Sequence, residues 1–181
     1  MKPDVKYMRL LVLGGARSGK SRFAQQLAER RWKRPLYLAT AEVKDKEMAR
    51  RIRTHRQARG ARWRCVEEPL DIADVLATGS ANADGVLVDC MTLWLSNILL
   101  KEGSGAIQKR RQTLLESVKK FRRDLILVSN EVGMGIVPEN ELGREFRDQA
   151  GWLNQALAAE VDTVVFVVAG LPLVLKGTLP R

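Results

Sequence analysis

The 181-residue sequence predicts an α/β fold with a mainly parallel sheet flanked by helices, on three observations. Short apolar runs of strand length alternate with stretches of helical periodicity, a pattern that places helices against a parallel sheet. One run, "MRLLVLG", leads straight into the glycine-rich "GGARSGKS" and then a helical stretch. Another, "GVLVDC", carries its first charge, Asp89, at its carboxyl end, where open α/β sheets bind their ligands.

Each element follows from its own residues. Residues 8–14 are apolar and end in glycine, which predicts a buried strand, and "SRFAQQLAERRW" (21–32) predicts the helix after it. "PLYLAT" (35–40) is a second strand, followed by a helical stretch over 44–59. "WRCVEE" (63–68) fits a short edge strand, "IADVLAT" (72–78) a helix, and "GVLVDC" (85–90) a buried strand. "TLWLSNILL" (92–100) is apolar on nearly every side and predicts a buried helix, with Trp94 in the core or at a subunit interface. "EGSG" (102–105) predicts a loop, and a charged helix runs from there to about Arg123. "DLILVSN" (124–130) is a strand, residues 139–160 form a long helix despite Gly143 and Gly151, and "DTVVFVVAG" (162–170) is the last strong strand. No repeat or linker interrupts the pattern, so residues 1–181 are expected to form one domain.

Composition narrows the class. Hydrophobic residues make up 45% and charged residues 29%, as in ordinary globular proteins. No apolar run approaches the ~20 residues of a membrane helix. The run "LLVL" near the N-terminus is too short for a secretory signal, so the expected location is the cytoplasm. Two cysteines, Cys65 and Cys90, suggest neither a disulfide framework nor a metal cluster, and Cys90 reads as a small core residue.

The net charge of +10 raises nucleic acid as a partner, but its distribution argues otherwise. Residues 44–64 hold nine cations against two anions, whereas the remaining chain holds 22 against 19. That basic segment surrounds His55, the only histidine. Its cations lack the interleaved exposed aromatics on which nucleic-acid bases stack.

"GGARSGKS" matches G-x-x-x-x-G-K-[ST] with Gly14, Gly19, Lys20 and Ser21 in register. With a strand before it and a helix after it, the motif is a phosphate-binding loop, and the fold expected is P-loop NTPase-like. Backbone N–H groups of Gly14, Gly15, Ala16, Arg17, Ser18 and Gly19 would cradle phosphates at the positive end of a helix. Lys20 would reach the β- and γ-oxygens, and the Ser21 hydroxyl would hold Mg²⁺. Asp89 is the acidic partner for that metal, although its position before a helix also suits a capping residue.

The chain resembles the bifunctional adenosylcobinamide kinase / adenosylcobinamide-phosphate guanylyltransferase family of cobalamin biosynthesis. The resemblance rests on "GGARSGKSRFA", "LYLATAE", "EMARRIRTHRQAR", "VLVDCMTLWLSNIL", "LILVSNEVGMGIVPENELGREFRDQAGWLNQALA" and "VVAGLPLVLKG", in the family's order along nearly the whole chain. "SNEVGMGIVP" is the most specific of these. Asp89 stands where some members have Glu, and Thr54 precedes His55 where some have a second His.

The resemblance implies phosphorylation of the aminopropanol hydroxyl of adenosylcobinamide by ATP or GTP. It implies a second step in which GMP passes from GTP to adenosylcobinamide phosphate through a covalent histidine, here His55. It also implies nucleotide contacts at Thr40, Ala41, Glu42, Arg56, Gln57, Ala58, Arg59 and Glu67, and a homo-oligomer, a trimer. Chemistry is consistent with His55 in that role: surrounding cations offset phosphate charge and disfavour imidazolium, keeping the nucleophile neutral. At helical spacing Met48, Ile52, His55 and Arg59 share one face. Asn130 and Glu131, after another apolar strand, are candidates to orient a substrate hydroxyl or a metal-bound water. Arg144 and Arg147 read as a solvated helix face. Two other readings stay open at this point: a plain P-loop small-molecule kinase in which His55 is structural, and a P-loop module that clamps nucleic acid. The first predicts no label from α-labelled GTP; the second predicts steeply salt-dependent DNA or RNA binding.

Overall fold

The computed structural model describes residues 7–42 and 60–179. The helix expected over 44–59 lies outside the described residues. Among the described residues seven strands form one sheet: β1 (Arg9–Gly14), β2 (Pro35–Ala39), β3 (Arg64–Glu67), β4 (Gly85–Asp89), β5 (Asp124–Asn130), β6 (Thr163–Val168) and β7 (Leu171–Lys176). They lie in the order β3-β2-β4-β5-β1-β6-β7. All neighbours are parallel except β6 and β7.

The helices are α1 (Lys20–Arg31), the short α2 (Ile72–Asp74), α3 (Met91–Lys101), α4 (Ile107–Lys120) and α5 (Glu141–Glu160). α2 widens into a π-type turn over Val75–Gly79, and a single 3₁₀ turn, Ser104–Ala106, occupies the loop ahead of α4.

Side-chain alternation along the strands builds two cores, one on each face. Leu11, Leu36, Leu38, Val86, Val88, Leu125 and Leu127 meet α3, α4 and α5 on one side. Leu10, Val12, Tyr37, Leu87, Ile126 and Val128 meet α1, Trp32 and Trp63 on the other. Because both faces are covered, these strands are near-continuous apolar runs in sequence. β3 is half-covered at one edge, as its mixed sequence predicts.

The seventh strand is the main departure from the expected elements. Val168 and Leu171 pair across a two-residue turn in which Ala169 and Gly170 both have positive φ, 52° and 79°. Such a turn matches the twist of the strands it joins. Every residue of β7 is exposed, so no alternation marks it in the sequence, and Pro172 argues against a strand except at an edge.

The chain order makes β1 the switch point. From β1 the connection through α1 leads to β2, past the positions that β5 and β4 come to occupy, whereas β6 is added on the opposite side of β1. The carboxyl ends of β1, β4 and β5 therefore open onto one crevice, the place where doubly wound sheets bind ligands.

Candidate active site

The loop between β1 and α1 is held by close backbone approach. Gly14 has no room for a side chain: a Cβ there would sit 2.5 Å from the Val167 carbonyl oxygen and from Ser18 Oγ. Gly19 adopts φ 95°, and a Cβ on it would press within 3.2 Å of Gly170 Cα. The turn that closes the β6–β7 hairpin is thus a floor for the loop, and Gly170 N–H donates to the Ser18 carbonyl at 2.9 Å. Arg17, with φ 57°, is the other left-handed residue of the loop. Alternating handedness of this kind sets successive N–H groups on one concave side, an anion-binding nest.

Above the loop is a cavity of about 540 Å³, lined by residues 16–22 and Asn130. Arg17, Lys20 and Arg22 are its charged lining residues among those described, and all are cations. Lys20 is 9% exposed, its Nζ 3.3 Å from the Gly15 carbonyl, so a buried ammonium faces the loop's own backbone. Ser18 Oγ is buried without a hydrogen-bond partner among the described residues, a polar atom suited to an anionic ligand.

Asp89 ends β4, next to β5 and two strands from β1. It does not cap the helix that follows: Cys90 holds the capping position of α3 and makes no side-chain cap. The Tyr37 hydroxyl instead donates to Asp89 Oδ2 at 3.1 Å. Burial pushes the neighbouring Cys90 thiol up to about 11; the Asp89 charge adds to the rise, while Thr92 and Lys20 act the other way. The thiol therefore stays protonated and does not compete as a soft ligand. Ser21, which lines the loop cavity, and Asp89, which does not, offer a hydroxyl and a carboxylate, both hard oxygens, and no group of three or more His, Cys, Asp or Glu side chains placed to hold a metal occurs among the described residues. That sparse donor set fits Mg²⁺, which keeps several waters and takes further oxygens from substrate phosphates.

Other expected site residues form a second group at the β2–β3 end of the sheet. Thr40 is fully buried, and its hydroxyl clasps Cys90, donating to the carbonyl at 2.7 Å and accepting from the amide at 2.8 Å. Ala41 is half-buried, and Glu42 is ion-paired with Lys101. Glu67 closes β3 in register with Ala39. β3 is four strand positions from β1, roughly 19 Å at ~4.8 Å per strand. The structure thus places Glu67 against the end of β2, beside Ala39, with three strand spacings more between it and the strand that leads into the phosphate loop. His55, Arg56, Gln57, Ala58 and Arg59 lie outside the described residues.

Two further readings are settled by contacts. Trp94 is 2% exposed and its indole N–H donates to the Leu70 carbonyl at 2.8 Å, a core role. Arg144 is no idle surface charge, since it donates to the Pro138 carbonyl and holds the loop ahead of α5. Sequence reasoning passed over Tyr37, whose only signal was an aromatic in a strand two residues before the sheet's carboxyl edge.

An open parallel sheet, a phosphate loop at its switch point and a buried lysine facing that loop define a P-loop nucleotide-binding enzyme. A profile of the family described as "Cobinamide kinase / cobinamide phosphate guanyltransferase" matches residues 10–175. The chain is 49% identical over 170 residues to the bifunctional adenosylcobalamin biosynthesis protein CobP of Pseudomonas aeruginosa, covering 94% of this chain and 98% of the relative. It is 40% identical over 182 residues to the bifunctional adenosylcobalamin biosynthesis proteins CobU of Salmonella typhimurium and of Escherichia coli, covering 93% of this chain and the whole of each relative. The chain belongs to the cobinamide kinase / cobinamide phosphate guanyltransferase family.

Proposed function

We propose that this chain catalyses both reactions for which its family is described, within one domain. In the first, the aminopropanol hydroxyl oxygen of adenosylcobinamide forms a bond to the γ-phosphorus of a nucleoside triphosphate, and the bond from that phosphorus to the β,γ-bridging oxygen breaks. In the second, a neutral His55 nitrogen attacks the α-phosphorus of GTP and pyrophosphate leaves. A phosphate oxygen of adenosylcobinamide phosphate then attacks the same phosphorus and the P–N bond breaks, giving adenosylcobinamide-GDP.

The observation that carries the reading is the cationic loop cavity with Lys20 buried at its base, in a chain this similar to CobP. Fixed cations and backbone N–H groups stabilise charge that spreads over phosphoryl oxygens in the transition state. Ser21 and Asp89 are the residues that would hold Mg²⁺, which supplies charge neutralisation on the phosphates when bound. Glu42, next to the segment holding His55 in the chain, and Glu67, at the carboxyl end of β3, suit the guanylyl half, a carboxylate being a natural acceptor for guanine N–H groups. The apolar edge strand β7, with Leu171, Leu173 and Leu175 each more than half exposed, supports a homo-oligomer, read as a trimer. Among the described residues no helix is long and apolar enough to cross a membrane, in keeping with a cytoplasmic enzyme.

Incubation with α-labelled GTP tests the intermediate. An acid-labile, base-stable label that maps to His55 and is missing from His55→Ala is expected. Wild type that takes up no label while still phosphorylating adenosylcobinamide would leave a kinase with a structural histidine.

A further inference from the structure

Among the described residues, the loop cavity has one lining residue that comes from neither the phosphate loop nor the start of α1, and it is Asn130. It ends β5 in register with Gly14, the first residue of the loop, and the Glu131 amide donates to the Gly14 carbonyl at 3.0 Å. Asn130 is therefore fixed to the loop through the backbone on one side. Its carboxamide is fixed on the other: Nδ2 donates to Thr92 Oγ1 at 2.8 Å and approaches Cys90 Sγ at 3.9 Å. Thr92 and Cys90 are 3% and 5% exposed and lie 3.1 Å apart through their Oγ1 and Sγ atoms. Behind the strand, Asn154 donates to the Asn130 carbonyl at 3.2 Å and accepts from Ser129 Oγ at 2.7 Å. Amide donation to two buried partners, on a backbone anchored from both sides, holds the carboxamide in one rotamer.

The direction of the amide matters. With both N–H bonds turned toward Thr92 and Cys90, the Oδ1 acceptor is the branch left for the cavity. The phosphates of a nucleotide are acceptors and gain nothing from another acceptor. A hydroxyl substrate, in contrast, arrives with an O–H to donate. Glu131, the other candidate in the same loop, spends a carboxylate oxygen on the Gly133 amide at 2.6 Å and does not line the cavity.

We propose that Asn130 is a catalytic residue of the phosphorylation step: its Oδ1 accepts the hydrogen bond of the attacking alcohol and aims that oxygen at the γ-phosphorus, with Thr92 as the positioning residue that sets the amide. This rests on the kinase reading above and names a role within it. An amide takes up no proton, so the hydroxyl proton passes to an oxygen of the transferred phosphoryl group as the new P–O bond forms and the nucleoside diphosphate departs. The loose transition state of phosphoryl transfer needs orientation of the nucleophile more than a strong base.

The test is steady-state phosphorylation of adenosylcobinamide by wild type, Asn130→Ala and Thr92→Val, alongside equilibrium binding of a non-hydrolysable nucleotide and thermal melting. Asn130→Ala is expected to lower kcat by about 100-fold, and Thr92→Val by about ten-fold, while nucleotide affinity stays within about two-fold of wild type. A misplaced but otherwise intact site gives that split, whereas a merely structural role lowers Tm and nucleotide affinity together. Wild-type kcat in folded Asn130→Ala, or parallel loss of nucleotide binding and rate, would overturn the proposal. A wild type that binds nucleotide but never phosphorylates adenosylcobinamide overturns the kinase reading itself, which is a separate result.

Discussion

The Tyr37 hydroxyl donates a 3.1 Å hydrogen bond to Asp89 Oδ2, so a buried phenol in β2 holds one oxygen of the carboxylate that ends β4. Ala39 and Asp89 are register partners, which puts residue 37 one pleat behind the carboxylate on the same face. Tyr37 is itself wedged edge-on against Trp63 at 6.2 Å, and Trp63 against Trp32 at 6.5 Å. The aromatic cluster thus fixes the phenol, and the phenol fixes the acid.

Tyr37→Phe keeps that packing and deletes only the hydroxyl. The expected stability loss is about 1 kcal/mol, seen as a Tm lower by roughly 2–4 °C. If Asp89 holds Mg²⁺, the Mg²⁺ concentration for half-maximal nucleotide binding should rise about ten-fold, as for other groups that orient a metal ligand. Titrating Mg²⁺ at fixed nucleotide and following Trp fluorescence measures it. An unchanged midpoint argues that the Tyr37 contact serves packing alone.

Gly14→Ala should be the most damaging single methyl in the loop. Its Cβ would collide with the Val167 carbonyl and with Ser18 Oγ, both at 2.5 Å, and the first of these is backbone. Overpacking of that kind costs about 2 kcal/mol, roughly 4–8 °C in Tm for a chain of this size. Nucleotide binding should fall well beyond what the Tm change explains, because the start of the loop must lift off the Val167 carbonyl of β6. Calorimetric melting paired with nucleotide titration separates the two effects.

Asp84 predicts an acid limb of the stability curve. The Arg34 amide, followed by the Arg34 guanidinium and the Lys33 amide, outweighs burial and holds its carboxyl below the usual 3.8. A depressed folded pKa means stability present above the unfolded value and lost as pH falls through the folded one. Asp84→Asn should therefore melt about 2–4 °C below wild type at pH 7, with the gap closing below pH ~3.8. Melting curves from pH 7 down to pH 3 check the sign; a gap that widens on acidification contradicts it.

Leu173→Lys tests the oligomer. Leu173 is 57% exposed on β7, and a charge on an uncovered edge strand should change stability by no more than ~0.5 kcal/mol in a monomer. Light scattering after size exclusion should show wild type as a multiple of 20.3 kDa and the variant as a single chain. Wild type at monomer mass would refute the interface.

Read from the residues, the early strands, the phosphate loop and Asp89 were legible because each depends on neighbours in the chain. An apolar run buried on both faces, a glycine forced into φ 95°, and a lysine at the start of a helix are local requirements. β7 was not legible, since an edge strand exposed at all six positions leaves no alternation, and a proline hides what pairing remains. The π-type widening at Val75–Gly79 and the 3₁₀ turn at Ser104–Ala106 were equally silent, being small adjustments to neighbours distant in sequence.

The candidate site divides in the same way. By itself the sequence determined which residues are candidates for phosphate chemistry, because that chemistry demands particular groups at particular spacings along one chain. Only the tertiary structure decided which partners they meet. Strand order set Glu67 four positions away from β1 and Asn130 directly beside Gly14, and register turned the Tyr37 hydroxyl onto Asp89. Thr40, expected among the nucleotide contacts, has its hydroxyl on Cys90, 50 residues further along the chain. Such contacts are fixed by the packing of the whole sheet, in which residues 50 or more apart in the chain come within hydrogen-bond distance, and no short-range pattern encodes that closeness.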